Sequence, residues 1–366
     1  MPRSISSKLC WAATALACSL TASGWEIKTF GGHEHVPIEE VATFYGMGHS
    51  SAPDANTKKL CGSGRELVAT RSCREVGING IKHWLAFPVV EEGGRFYVSR
   101  LDLGKTIEPA FRPAQIQGIP PVTTVVLDPG HGGNDNGARS RYEYEKNFSL
   151  DVARRVRDRL KKSGLRVLMT RNSDAFIELA ARAAAASQLK GALFVSIHFN
   201  AADSNPSANG FEIFCVTPRG APSTAYEQTR LRDMIEENGN EHDIHSFALA
   251  NTISHAMQGK MGMADRGVKR ARFAVLRLAG VPTVLVEGGF LTNPGDARNI
   301  ASKPWRDNYA SAITCGILEY KKLAEQGKPP REVASYRDPD PGPTTEASVL
   351  HNPPAVPGVT LRELSE

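Results

Sequence analysis

Three short apolar runs in this 366-residue sequence each hand a chemically capable side chain to a turn or an asparagine. Val125, Val126 and Leu127 lead through Asp128-Pro129-Gly130 to His131 and two glycines; Leu193, Phe194 and Val195 lead to His198; Val284, Leu285 and Val286 lead to Glu287 and a second glycine pair. Short apolar, β-branched runs bounded by turn residues read as buried strands. Taken singly, a histidine on such a turn needs no functional explanation, because polar residues are common where strands run into loops. In an open α/β sheet, however, ligands bind outside the carboxyl ends of the strands. Three ends carrying His, His and Glu point to one site.

His131 and His198 are neutral nitrogen donors of the kind zinc accepts, and an open catalytic zinc site needs a third ligand. Glu145, in YEYEKNFSL just ahead of a helix, is the best-placed candidate; Glu143 competes with it. A glutamate at a helix start is also expected from the helix dipole alone. A metal in such a set lowers the pKa of bound water toward about 7 and polarises a carbonyl. The site still needs a proton carrier, and Glu287 is placed for that role. Following Val-Leu-Val it should be partly desolvated, which raises a carboxyl pKa toward the working range. The competing role for Glu287 is a salt bridge with Lys269, Arg270 or Arg272.

From about residue 122 strands and helices alternate, which argues for βαβ units and a mostly parallel sheet. The strand over 123–127 is followed by a helix over 148–163, with Leu150, Ala153, Val156 and Leu160 on one face and Gly164 as its stop. A strand in LRVLMTR, an alanine-rich helix over 177–190, the strand to His198 and a strand over 210–216 come next. A helix over 247–261, strands over 274–277 and 283–287, and a helix near 309–325 complete the pattern. The fold class expected is α/β: a mostly parallel, twisted sheet flanked by helices, preceded by a small α+β domain.

That preceding unit covers 25–113. HVPIEEVATFYG reads as a strand running into a short amphipathic helix, turn signals such as Ile78-Asn79-Gly80 separate short β-like runs, and FYVSRLDLGKTIEPAFRP echoes the first strand and helix. The layout resembles the copper amine oxidase-like N-terminal domains that often precede cell-wall enzymes; the name implies no copper here. His33 and His35 read as a solvated loop pair. Residues 114–121, rich in Pro, Gly and Gln, form a linker, and the proline-rich stretch 326–366 has little apolar surface to bury, which predicts disorder.

Residues 1–24 read as an export signal: Arg3 and Lys8 are basic, 9–20 is apolar, and Ala22-Ser23-Gly24 offers small residues before a cut. The apolar run falls short of the roughly 20 residues a membrane span needs. Cys18 leaves a lipoprotein alternative open. Cys61 and Cys73 lie close enough for a bridge across a hairpin in an oxidising compartment, while Cys215 and Cys315 read as small buried hydrophobes. A net charge of +5 is small for this length and argues against a nucleic-acid partner.

DPGHGG, EKNFSL, LMTRNSD, LFVSIHFNA, GFEIF, GVKRARFAVLR and VEGGFLTNP, in this order, resemble the zinc-dependent N-acetylmuramoyl-L-alanine amidases of bacterial cell walls, over about 122–322. The resemblance implies one catalytic Zn2+ ion held by His131, Glu145 and His198, with Glu287 as the catalytic glutamate and Asn200 as a supporting or substrate contact. It implies hydrolysis of the amide between the lactyl group of N-acetylmuramic acid and L-alanine in peptidoglycan, in the periplasm or cell wall. Two features depart from the family pattern. Ala186-Ser187 stands where an alanine-asparagine pair is usual, and the polar stretch 217–245 is long, with a helix-like AYEQTRLRDMIEEN followed by EHDIH. Some relatives carry a helix nearby that plugs the metal site until a protein activator withdraws it; Glu236, Glu237, Glu241, His242 and His245 share that role as candidates, against a plain solvated insertion. The rival readings are a zinc peptidase acting on the stem peptide and a non-catalytic peptidoglycan-binding homologue. Glutamate on the last strand, rather than in an H-E-x-x-H helix, favours the amidase.

Overall fold

The structure, a computed structural model, describes residues 24–326 except 51, 53, 117 and 119. The export-signal reading of 1–24 and the disorder expected of the tail therefore lie almost wholly outside the described residues.

The described residues open with a hairpin, β1 (Lys28–Phe30) and β2 (His33–Pro37), running into the short helix α1 (Ile38–Phe44). A meander follows: β3 (Gly48–Ser50), β4 (Thr57–Gly62), β5 (Arg65–Thr70), β6 (Glu75–Ile78) and β7 (Ile81–Trp84). Strands β8 (Val90–Glu92) and β9 (Arg95–Ser99) then return, β9 pairing with β2 to give a separate sheet ordered β1-β2-β9-β8. Helical turns α2 (Arg100–Asp102) and α3 (Glu108–Phe111) close this unit.

The second part runs β10 (Thr124–Pro129), α4 (Glu145–Lys162), β11 (Arg166–Met169), α5 (Leu179–Ser187), β12 (Ala192–Asn200), β13 (Phe211–Val216), α6 (Asp243–Met261), β14 (Asp265–Ala271), α7 (Ala274–Arg277), β15 (Thr283–Phe290), α8 (Pro294–Ala301) and α9 (Lys303–Glu325). Its strands are ordered β11-β10-β12-β15-β13-β14. The pairs β10–β11, β10–β12, β12–β15 and β13–β14 are parallel, and only β13 against β15 is antiparallel. The expected α/β architecture holds. The expected strand over 274–277 is instead the helix α7, because Val275 and Leu276 pack into the layer formed with α5 rather than joining a ladder.

The sheet does not stop at β14. Strand β7 pairs with it in parallel through Val268 and His83, so the meander extends the same sheet to eleven strands. One apolar cluster likewise runs from Val36, Ile38 and Leu67 through Val125, Val195, Ile213 and Val286 to Ile253 and Ile317 on α6 and α9. A smaller one on the opposite face gathers Val126, Phe194 and Leu285 with Ala183, Ala186 and Leu276 of α5 and α7. Successive strand side chains point to opposite faces. His198 and Glu287, which follow Ile197 and Val286 of the first cluster, therefore face the second side, beyond the part that α5 and α7 cover.

Several local expectations change. His33 and His35 are not a solvated loop pair: they lie in β2, His33 stacked on Phe87 with ring centroids 3.8 Å apart and His35 only 2% exposed. Cys61 and Cys73 are free thiols. In the β4–β5 hairpin Cys61 stands opposite Glu66, at the turn, while Cys73 lies beyond Thr70, which pairs with Thr57 at the far end. The helix expected in AYEQTRLRDMIEEN is absent; only Leu231–Met234 and Asn238–His242 make short 3-10 turns. The buried Asp233 explains this, since it binds Arg272 on one side and the Arg230 backbone on the other, pulling the segment into a compact knot.

Candidate active site

At the end of β10 the backbone must turn sharply, and it does so with His131 itself in the left-handed region, at φ 60°. A non-glycine residue there is uncommon and held only where its surroundings over-determine it. Two buried guanidinium groups do so. Arg182 donates to the Pro129 and His131 carbonyls (2.9 and 2.8 Å) and to Asp128 (2.9 Å); Arg171 donates to the Pro129, Gly130 and Lys146 carbonyls (3.0, 2.6 and 2.8 Å). Asp128 also accepts from Thr170 (2.6 Å) and Ser196 (2.7 Å), tying together β10, the end of β11 and β12. Sequence reasoning passed over Asp128, Arg171 and Arg182. Only Asp128 directly follows an apolar run; Arg171 is separated from β11 by Thr170 and Arg182 lies inside α5, so neither carries a local signal.

His131 places Nδ1 2.8 Å from Asp135 and Nε2 3.0 Å from Glu145. His198 places Nδ1 2.9 Å from the other Glu145 oxygen. Glu145 is the first residue of α4 and almost fully buried, and it also accepts the backbone N–H of Phe199 (3.1 Å) and Ala138 (3.0 Å). The rival Glu143 is exposed and accepts the N–H of Tyr144. The structure thus brings His131, Glu145 and His198 together, one donor atom from each lying within 4.8 Å of the others, and leaves Glu143 outside.

The cluster's electrostatics are those of a site built for a cation. Burial alone would raise the Glu145 pKa, but the two imidazoles outweigh it and hold the carboxyl well below its usual range. Burial likewise opposes a charged His131, but Glu145 and Asp135 win and raise its pKa to about 10. The surroundings are cut to fit: a Cβ on Gly130 would lie 2.2 Å from the His198 ring, and one on Gly137 would lie 2.5 Å from His131 and 2.7 Å from Glu145. Asp135 on Nδ1 leaves Nε2 of His131 facing the cluster, the arrangement that fixes the tautomer of a metal-binding histidine. Donor set, spacing and cradle all fit a zinc ion.

Glu287 registers beside His198 on the neighbouring strand. It is half-buried, and its Oε2 has no hydrogen-bond partner among the described residues. Burial first, then the negative charges of Glu145 and Glu212, push its pKa well above the ordinary carboxylate value, with His131 and Lys269 opposing. The salt bridge set against this role is not made: Lys269 reaches Glu212, Arg272 reaches Asp233, and Arg270 donates to the carbonyls of Lys105 and Val216. Behind Glu287 the Tyr309 ring lies so close that a Cβ on Gly288 would come within 2.5 Å of it.

Asn200 does not point at the ligand cluster but donates to Glu212 (2.6 Å) on β13. Glu212, which sequence reasoning left inside a motif without a role, also accepts from Arg266 and Lys269. Ser187, at the position that departs from the family pattern, accepts the Gly280 N–H (3.0 Å), a packing contact remote from the ligands.

The stretch 217–245 leaves the sheet at the opposite end of the strands. Because β13 runs antiparallel to β15, with Glu212 opposite Glu287 and Phe214 opposite Leu285, Val216 ends where β15 begins. There Glu237 pairs with Arg277 and Glu236 with Arg219. None of Glu236, Glu237, Glu241, His242 or His245 joins the ligand cluster.

A family model described as Amidase_3, N-acetylmuramoyl-L-alanine amidase, matches residues 125–319. Among similar proteins, the N-acetylmuramoyl-L-alanine amidase AmiC of Escherichia coli is 34% identical over 244 residues, covering 60% of this chain and 58% of its own length. The N-acetylmuramoyl-L-alanine amidase LytC of Bacillus subtilis is 35% identical over 197 residues, covering 54% of this chain and 35% of its own. The solved catalytic domain of CwlV, an N-acetylmuramoyl-L-alanine amidase of Bacillus (Paenibacillus) polymyxa var. colistinus, is 31% identical with a TM-score of 0.46, over 55% of this chain and 99% of that one. The chain thus spans little more than half, or less, of the length of these two full-length relatives. The matched family residues take in His131, Glu145, His198 and Glu287, and the chain belongs to the Amidase_3 family of N-acetylmuramoyl-L-alanine amidases.

Proposed function

We propose that this protein is an exported zinc hydrolase that cleaves the amide between the lactyl group of N-acetylmuramic acid and L-alanine of the peptidoglycan stem peptide, serving wall remodelling or daughter-cell separation. The observation that carries the reading is the His131–Glu145–His198 triangle with Glu287 one strand away, its Oε2 unpartnered and its pKa raised by burial and by the neighbouring carboxylates. A zinc ion held by the three ligands would supply Lewis acidity toward the scissile carbonyl and make a water molecule more acidic.

The chain's own groups do the rest. Glu287 takes the proton of the attacking water and passes it to the nitrogen of L-alanine as the C–N bond breaks, so that the amine leaves neutral. A carboxyl raised by burial and neighbouring charge suits such two-way transfer near neutral pH. Asp135 holds His131 in one tautomer, and Arg171 and Arg182 hold the loop that carries it. Asn200, tethered by Glu212, supports the centre from the side of β13.

Export rests on the signal-like residues 1–24, and no helix among the described residues is long and apolar enough to cross a membrane. We read 25–113 as an accessory unit, 114–121 as a linker and 122–325 as the catalytic domain. A protein activator acting on 217–245 would meet the molecule at the strand ends away from the ligands, where Leu231, Met234 and Ile235 are exposed. Digestion of purified peptidoglycan with mass analysis tests the reading: stem peptides released with a free L-alanine amine, abolished by a chelator and by Glu287→Ala, support it. Products cut only within the stem peptide would identify a peptidase instead, and binding without products a non-catalytic homologue.

A further inference from the structure

We infer that the 25–113 unit is part of the active centre rather than a tether: Trp84 of β7 is a positioning residue that holds Arg266 and Lys269 on Glu212, and through Glu212 fixes Asn200 beside Glu287. The inference deepens the proposed function and depends on that reading for its catalytic meaning.

It starts from an irregularity in β14. Phe211 pairs with Asp265, but Ile213 pairs with Val268, so β14 carries one residue more than β13 over that interval. Residues three apart in a regular strand point to opposite faces. The extra residue puts Arg266 and Lys269 on the same side, as a bulge does. Both then reach one oxygen of Glu212, Arg266 Nε at 2.9 Å and Lys269 Nζ at 2.5 Å. The other Glu212 oxygen accepts from Asn200 Nδ2 at 2.6 Å.

Asn200 needs this tether. The β12–β15 register shifts between His198 and Asn200, so the ladder alone does not set where the Asn200 side chain lies.

What holds the bulge is the N-terminal unit. Gly267, at φ 95°, sits under β7, where a Cβ would come within 3.0 Å of Lys82 and 3.1 Å of Trp84. The Trp84 indole N–H donates to the Arg266 carbonyl at 3.1 Å, and Lys269 Nζ lies 5.6 Å from the Trp84 ring centroid. An ammonium at that distance is attracted by the ring face. One side chain thus steadies both cations that neutralise Glu212. The contact chain Trp84, Lys269, Glu212, Asn200 crosses from β7 over β14 and β13 to β12 and ends beside the strand end that carries Glu287.

The test is a double-mutant cycle in the full chain, with Trp84→Ala, Trp84→Phe, Glu212→Gln and the pair Trp84→Ala/Glu212→Gln, read as kcat and KM on a soluble muramoyl-peptide. Trp84→Ala should lower kcat about tenfold, the scale of lost outer-shell support, with KM within about twofold. Trp84→Phe, which keeps a ring face for Lys269, should recover part of it. The double variant should be no slower than Glu212→Gln alone. In parallel, the Asn200 side-chain NH2 signal of metal-free 15N-labelled protein, assigned by its loss in Asn200→Asp, should move in Trp84→Ala and in Glu212→Gln. Multiplying losses in the cycle, or an Asn200 signal that stays in place, would overturn the inference. Should Trp84→Ala melt, Trp84→Phe takes its place in the cycle. A wild-type protein that hydrolyses nothing would defeat the proposed function, and the NMR arm would still decide whether Trp84 acts on Asn200.

Discussion

Glu212 and Glu287 stand directly opposite each other on the adjacent antiparallel strands β13 and β15. Like charges so placed repel, and the protein resolves the conflict by treating the two differently. Glu212 is neutralised by Arg266 and Lys269, whereas Glu287 keeps an unpartnered oxygen and a raised pKa. On the proposed reading Glu287 is the proton carrier, and Glu212 is a paired carboxylate that stays in place beside it.

Glu287→Gln keeps the shape and removes the titrating group. We expect kcat to fall by about 10²–10⁴-fold, the usual scale for a positioned acid–base group, while zinc content by elemental analysis stays at the wild-type level. Loss of zinc in this variant would move Glu287 into the ligand set.

Zinc binding should release protons. His131, with its pKa raised to about 10, carries a proton at pH 7 in the metal-free protein, and a metal must displace it. Affinity should therefore rise with pH below that value, by about tenfold per unit for the one proton displaced. Calorimetric titration in buffers of different ionisation enthalpy checks this, and a proton count of zero would contradict it. Asp135→Asn, which removes the carboxylate on Nδ1, should weaken zinc binding about 10–100-fold.

Gly130→Ala probes the cradle. The added methyl carbon would stand 2.2 Å from the His198 ring, and Gly130 does not have a left-handed backbone, so the injury is steric and local. We expect zinc binding to be lost while the circular dichroism spectrum is kept. Wild-type zinc binding would show that His198 has room the geometry denies it.

His83 makes the seam between the two units sensitive to acid. It is fully buried in β7, paired with Val268, and desolvation lowers its pKa to about 4 against hydrogen bonds to Asn251 and the Ile81 carbonyl. The unfolded chain, with an ordinary histidine near 6.5, binds the proton first as pH falls. Stability from this group is complete above about pH 6.5 and is lost progressively down to pH 4, by up to about 3 kcal/mol. Urea unfolding at pH 7.5 and pH 4.5 should show wild type losing more stability over that interval than His83→Gln. Equal losses would refute the assignment.

The positions of His131, His198 and Glu287 were legible in the sequence because a buried strand of a parallel sheet is a continuous apolar run whose end is easy to see. Glu145 was not separable from Glu143 by pattern: two residues apart ahead of one helix, they differ only in which one the turn folds inward. The support for the His131 loop was invisible for a related reason, since Arg171 and Arg182 act on carbonyls from β10 that lie 41 to 53 residues away. Ala274–Arg277 looked like a strand because four apolar-rich residues fit either period, and packing on α5 decided. The junction of β7 with β14 rests on pairing across 185 residues and a bulge at Gly267, neither of which leaves a local pattern. The knot at Asp233 likewise depends on Arg272, far along the chain.

The bond that breaks distinguishes an amidase from a stem-peptide peptidase. Hydrolysis of a defined muramoyl-peptide in water enriched in 18O places the incoming oxygen on the new carboxylate. Label is expected in the lactyl carboxylate of N-acetylmuramic acid, with an unlabelled peptide beginning with the free amine of L-alanine. Label within the peptide, with the lactyl amide intact, would contradict the amidase reading.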